Sequence, residues 1–157
     1  MRKQMITISV IGGSEIDDEV ERLATNVGRV VAEVGAVLVC GGLMGSMRGA
    51  SKGAKEAGGL TIGLLPGKDK ADANEYIDIA LPLTIGFARN ACVAASADVI
   101  IALPGSHGTS SEISYGLVYK RPVIDIGGWN RPGMIPVQDT AELKPLLEKM
   151  IADLREQ

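Results

Sequence analysis

Few of the residues that build metal centres or disulfide frameworks occur in this chain. One histidine, His107, and two cysteines, Cys40 and Cys92, are too few for a zinc site, and they form neither a metal-ligand spacing nor a disulfide framework. This cysteine usage suits a reducing cytoplasm, where we expect the protein, with both thiols as small core residues. No run of Lys or Arg is present and the formal net charge is −3, so a polymeric nucleic-acid partner is not expected. The longest apolar runs fall far short of a membrane span. The charged opening Met1-Arg2-Lys3-Gln4-Met5 leads straight into a strand-like segment ended by Gly12-Gly13, which is not the pattern of a signal peptide.

Three familiar nucleotide and hydrolase signatures are missing as well. The first strand is followed by Gly12-Gly13-Ser14-Glu15-Ile16-Asp17, which is not Gly-x-Gly-x-x-Gly. The second ends in Cys40-Gly41-Gly42, without the acidic residue that holds an NAD ribose. Gly63 and Gly67 are one residue too close for a triphosphate-binding loop, and Lys68 precedes Asp69 where Ser or Thr is needed. No Gly-x-Ser-x-Gly elbow occurs. NAD binding, triphosphate hydrolysis and a serine triad are therefore not expected.

Glycine, by contrast, is abundant, with 20 residues in 157. The pattern predicts strands at 6–11, 36–40, 60–65, 76–81, 98–103 and 123–126. Helices are predicted after Ser14, over 46–57, from about 86, from about 108 to Arg121, and at 143–154. In the first helix Val20, Leu23, Ala24, Val27, Val30, Val31 and Val34 form one apolar stripe, with Ser14 as cap, Asp17 as its reciprocal partner and Gly35 as stop. Segments 66–75 and 127–136 read as loops. Alternation of strand and helix through short glycine turns predicts one doubly wound, mostly parallel α/β sheet with helices on both faces, a single Rossmann-like domain over 1–157.

Ligands of such sheets bind beyond the carboxyl ends of the strands, where strand order reverses. Three glycine-rich turns crowd that rim: Gly12-Gly13-Ser14, Gly41-Gly42-Leu43-Met44-Gly45-Ser46, and Pro104-Gly105-Ser106-His107-Gly108-Thr109. Together they point to a phosphate held by main-chain amides, with Gly12, Gly13, Ser14, Gly41, Gly42, Gly45, Gly105, Gly108, Thr109 and Ser110 as candidate contacts. The amides of 108–110 are the expected grip. Glu112, just inside that helix, is the one local group able to act on the rest of a ligand. Arg89 opens its own helix against the dipole and calls for a partner, either Glu112 or an anion. Phe87 and Trp129 are candidates for stacking on a ring, with packing an equal alternative. His107 reads as a loop residue, and Lys68 and Lys70 as part of a solvated loop.

The segments Cys40-Gly41-Gly42-Leu43-Met44-Gly45, Ala88-Arg89-Asn90 and Pro104-Gly105-Ser106-His107-Gly108-Thr109-Ser110-Ser111-Glu112 resemble the LONELY GUY phosphoribohydrolases, a Rossmann-type family long mislabelled as lysine decarboxylases. The short chain and the Ala-Arg-Asn form are similar to its molybdenum-cofactor carrier branch. The resemblance covers roughly residues 5–128. It implies a homodimer or higher homo-oligomer that binds a phosphorylated nucleotide-like or pterin ligand at the rim as a carrier. The molybdenum cofactor or a nucleotide would be that ligand, and no further cofactor is required. The alternative it implies is a phosphoribohydrolase that cleaves the N-glycosidic bond of nucleoside 5′-monophosphates, with Arg89 and Glu112 matching the catalytic positions. The chain departs from the hydrolases at Asn90, where they have Lys, and at Ser106, where they have a second Gly. No lysine is placed for a pyridoxal phosphate Schiff base, so decarboxylation is not expected.

Overall fold

A computed structural model describes residues 4–157; Met1, Arg2 and Lys3 of the charged opening lie outside the described residues. Seven strands form one parallel sheet: β1 (Thr7–Ile11), β2 (Val37–Cys40), β3 (Thr61–Leu65), β4 (Ile79–Pro82), β5 (Val99–Ala102), β6 (Val123–Asp125) and β7 (Ile135–Pro136). The five helices are α1 (Asp18–Glu33), α2 (Ser46–Glu56), α3 (Arg89–Ala95), α4 (His107–Val118) and α5 (Thr140–Arg155). Spatial strand order is β4-β3-β2-β1-β5-β6-β7. The chain winds outward from β1 in one direction, then returns through α3 to lay β5 on the other side of β1. Strand order thus reverses between β1 and β5, and the crevice opens beyond their carboxyl ends.

The side-chain period of two divides each inner strand between two cores. Ile8 and Val10 of β1, with Val99 and Ile101 of β5, pack under α1, α2 and α5. Ile11 of β1, with Ile100 and Ala102 of β5, packs under α3 and α4. Ser9 also faces the second layer, and its hydroxyl donates to the Val93 carbonyl of α3 at 2.7 Å. The small residues of α3, Ala94 among them, let it lie this close.

Several boundaries differ from the sequence reading. Asp17, not Ser14, caps α1: its carboxylate accepts from the Val20 amide at 2.9 Å. The fourth strand starts at Ile79, because Asn74 first turns the chain by accepting from the Tyr76 amide. The third helix begins as a 3-10 turn over Gly86–Ala88. The fourth stops at Val118, since Lys120 takes a left-handed φ of 57° and the Arg121 amide returns to the Gly116 carbonyl. The loop at 127–136 contains the edge strand β7, where Pro136 is tolerated because no further strand needs its amide.

Candidate functional site

The β1–α1, β2–α2 and β5–α4 turns interlock at the crevice. The Gly13 amide donates to the Pro104 carbonyl at 2.9 Å, and the Gly13 carbonyl accepts from the Ser46 amide at 2.9 Å. Much of the glycine here serves this close approach. A Cβ at Gly45 would lie 2.4 Å from the Ser14 carbonyl oxygen, and one at Gly105 would lie 2.2 Å from the Thr109 hydroxyl. Gly42 has a φ of 78° and packs on Leu65, while its carbonyl is held by Asn74. The turn at 41–46 is therefore closed on itself and on its neighbours.

The turn before α4 is different. Ser106 caps α4 without a side-chain hydrogen bond, and the amides of His107, Gly108 and Thr109 have no acceptor among the described residues. The Ser110 amide already donates to the Ser106 carbonyl at 2.9 Å. The open donors are thus 107–109, shifted one residue from the expected 108–110, because the helix begins at His107 and its fourth amide closes the first turn. His107 is an exposed first-turn residue rather than part of a loop.

Gly108 and Thr109, but not His107, belong to the wall of a pocket of about 240 Å³. Gly12, Gly13, Ser14, Gly41, Gly108, Thr109, Arg89 and Glu112 all line it. Gly42, Gly45, Gly105 and Ser110 lie outside its walls. The Ser110 hydroxyl instead accepts from Arg131 at 2.5 Å. Val10, Leu43, Met47 and Phe87 supply apolar wall that the sequence did not single out, Phe87 excepted, since nothing in a strand or helix stripe marks which apolar residue faces a ligand. Phe87 is 86 % exposed at the rim. Trp129 is not part of the wall: it packs in the second core and donates its indole N–H to the Leu103 carbonyl.

Two charged side chains set the chemistry of the pocket. Glu112 is only 6 % exposed, has no hydrogen-bond partner among the described residues and faces the pocket. Burial pushes its carboxyl up to about 8, against the pull of Arg89. Arg89 is equally buried, and desolvation lowers its pKa. Its guanidinium lies flat on Gly41, where a Cβ would sit 2.5 Å from Nη1. Nη1 donates to the Asn90 side-chain carbonyl at 2.6 Å, and Nε has no partner. Arg89 and Glu112 do not approach within 4.0 Å as an ion pair. The buried Ser46 hydroxyl nearby is also unpartnered. Buried polar groups are ordinarily satisfied, so the unpartnered Glu112 carboxyl and Arg89 Nε make this the candidate site of the chain.

Comparison with known proteins bears on the family and the fold. The model of the SLOG cluster4 family matches residues 5–152. The chain belongs to the SLOG cluster4 family. Among proteins similar to this SLOG cluster4 chain, an uncharacterized protein of Archaeoglobus fulgidus is 43% identical over 114 residues, 73% of this chain and 75% of that one. Among solved structures, the molybdenum cofactor binding protein of Rippkaea orientalis is 31% identical with a TM-score of 0.83, covering 96% of this chain and 99% of that one. The molybdenum cofactor carrier protein of Chlamydomonas reinhardtii is 29% identical with a TM-score of 0.85, covering 95% and 99%. The doubly wound Rossmann-like fold of this SLOG cluster4 chain is shared with these two proteins.

Proposed function

We propose that this chain is a carrier that holds a phosphate-bearing pterin or nucleotide-like ligand, the molybdenum cofactor foremost, at the β1/β5 crevice and releases it unchanged. One observation carries this reading: Gly108 and Thr109, whose helix amides are unpartnered, and Glu112, a buried carboxyl without a partner, line the same pocket. The amides of Gly108 and Thr109, with the positive end of the α4 dipole, take the phosphate. The apolar wall of Val10, Leu43, Met47 and Phe87 takes a flat ring, and Glu112 and Arg89 meet its polar edge. The likeness to two molybdenum cofactor binding and carrier proteins supports this ligand class.

The alternative is a phosphoribohydrolase acting on nucleoside 5′-monophosphates. A carboxyl held near 8 favours it in one respect, since a protonated Glu112 can donate to a departing base. Stabilising an oxocarbenium ion, however, needs a carboxylate, and a neutral Glu112 does not supply one. Incubation with nucleoside 5′-monophosphates separates the readings. The carrier leaves them intact, whereas base release that disappears in Glu112→Gln establishes the hydrolase.

The homo-oligomer expected from the resemblance is part of the proposal. Phe87, Val118 at the end of α4 and Tyr119 just after it support it, as large apolar groups left in solvent on a single chain. Light scattering on the purified protein is expected to give at least twice the chain mass of 16.4 kDa, and a monomer would overturn this part.

A further inference from the structure

Arg89 is a base and Glu112 an acid, the two share one buried pocket, and yet they do not pair. A lone buried carboxyl beside an arginine would ordinarily draw the guanidinium to itself, since an ion pair offsets much of the cost of burial. Something must hold the cation elsewhere, and Asn90 is placed to do so. Its Oδ1 accepts from Arg89 Nη1 at 2.6 Å, while its Nδ2 donates to the Ser111 hydroxyl of α4 at 3.2 Å. The Ser111 hydroxyl in turn donates to the Gly108 carbonyl at 2.6 Å. Asn90 is buried, and both ends of its amide are used. Gly41 completes the arrangement, because only a residue without a side chain leaves a shelf for the guanidinium.

We propose that Asn90 is a positioning residue: its side-chain carbonyl holds the Arg89 guanidinium on Gly41 and off the Glu112 carboxyl, so that Glu112 meets the ligand unpaired. The same amide ties the start of α3 to the first turn of α4, which joins the arginine, the carboxyl and the open amides into one preset unit. A lysine at 90, with three donors and no acceptor, cannot hold a guanidinium in this way. The consequence for the ligand rests on the binding function proposed above. A neutral, unpaired carboxyl presents an O–H donor beside a carbonyl acceptor, which matches a ring edge carrying an acceptor and an N–H side by side. The positioning itself is a property of the protein without ligand, so it is tested separately.

The readout is the proton affinity of Glu112, followed by carboxyl ¹³C NMR titration and assigned by the resonance lost in Glu112→Gln. The titratable groups coupled to it are Arg89 on α3 and Cys40 on β2, and the thiol is itself raised by burial. In Asn90→Ala the freed guanidinium turns to Glu112, and the carboxyl loses about tenfold or more in proton affinity, one pH unit in midpoint. Asn90→Asp keeps an acceptor for Nη1 and adds a negative charge nearby, so Glu112 retains or increases its proton affinity. A wild-type titration in Asn90→Ala, with only a lower melting temperature, would reduce Asn90 to a structural tie and overturn the proposal. So would an equal loss of proton affinity in Asn90→Asp, which also decides the matter if the alanine variant does not fold.

Discussion

Glu112 illustrates how a buried, unpartnered carboxyl can weaken the protein that carries it. Its carboxyl is shifted from an ordinary 4.5 to about 8, so the native state holds a proton that the unfolded chain gives up between those values. Stability therefore falls as pH rises through that window and levels off above it. At about 1.4 kcal/mol per pH unit, the penalty above pH 8 is on the order of 5 kcal/mol. Glu112→Gln removes it. Urea unfolding at pH 5, 7 and 9 is expected to show a wild-type decline that is absent in the variant, with the variant the more stable at pH 9. Gly41 offers a second residue-scale check. Gly41→Ala places a Cβ 2.5 Å from the Arg89 guanidinium, so the arginine must leave its shelf. We expect ligand affinity to fall at least tenfold, for a stability loss of about 1–3 kcal/mol from overpacking. Calorimetric binding and melting curves on the same samples check both halves.

At the scale of elements, α4 and the α1–α2 pair make opposite demands. The first turn of α4 is left uncapped, and Gly108 has room for a side chain, its nearest neighbour being Asn90 Nδ2 at 3.7 Å from a built Cβ. Gly108→Asp sets a carboxylate beside the open amides. The helix should gain up to about 1 kcal/mol, while an anionic ligand is repelled and binds more than tenfold more weakly. The α1–α2 pair has no such slack. A Cβ at Gly53 would lie 1.8 Å from the Thr25 carbonyl oxygen, and one at Gly28 would lie 1.8 Å from that of Ala50. Backbone meets backbone there, so Gly53→Ala is expected to cost about 3 kcal/mol or more in urea unfolding.

The elements themselves were legible because their periods are clean: the Val20–Val34 stripe, the apolar runs 37–39 and 99–101, and glycine at the stops of α1 and α2. What the sequence does not display is contact between turns. Gly41, Gly42 and Gly45 look alike in the chain, yet one makes a shelf for an arginine and the others pack against backbone and core. Asn90 stood in a recognised motif, but its grip on Arg89 depends on a crossing of α3 and α4 that no local spacing encodes. The cap of α1 and the one-residue shift of the open amides have the same cause, since a helix start is decided by which oxygen finds a free amide.

On the scale of the whole molecule, the sheet order decides where a ligand goes. Only between β1 and β5 do the connections run outward in opposite directions, and all three glycine turns reach that point. The chain carries a net charge of −3, and the anion site proposed for it is compatible with that charge because it is made of amides and a helix end rather than a basic surface. The most direct test of this account is mass spectrometry of the small molecules released when the protein, purified from cells that make the molybdenum cofactor, is denatured. The account predicts a phosphorylated pterin or nucleotide, intact and close to one per chain, and a marked loss of it in Gly108→Asp. Wild-type protein that releases no phosphorylated molecule, or Gly108→Asp protein that releases as much as wild type, would contradict it.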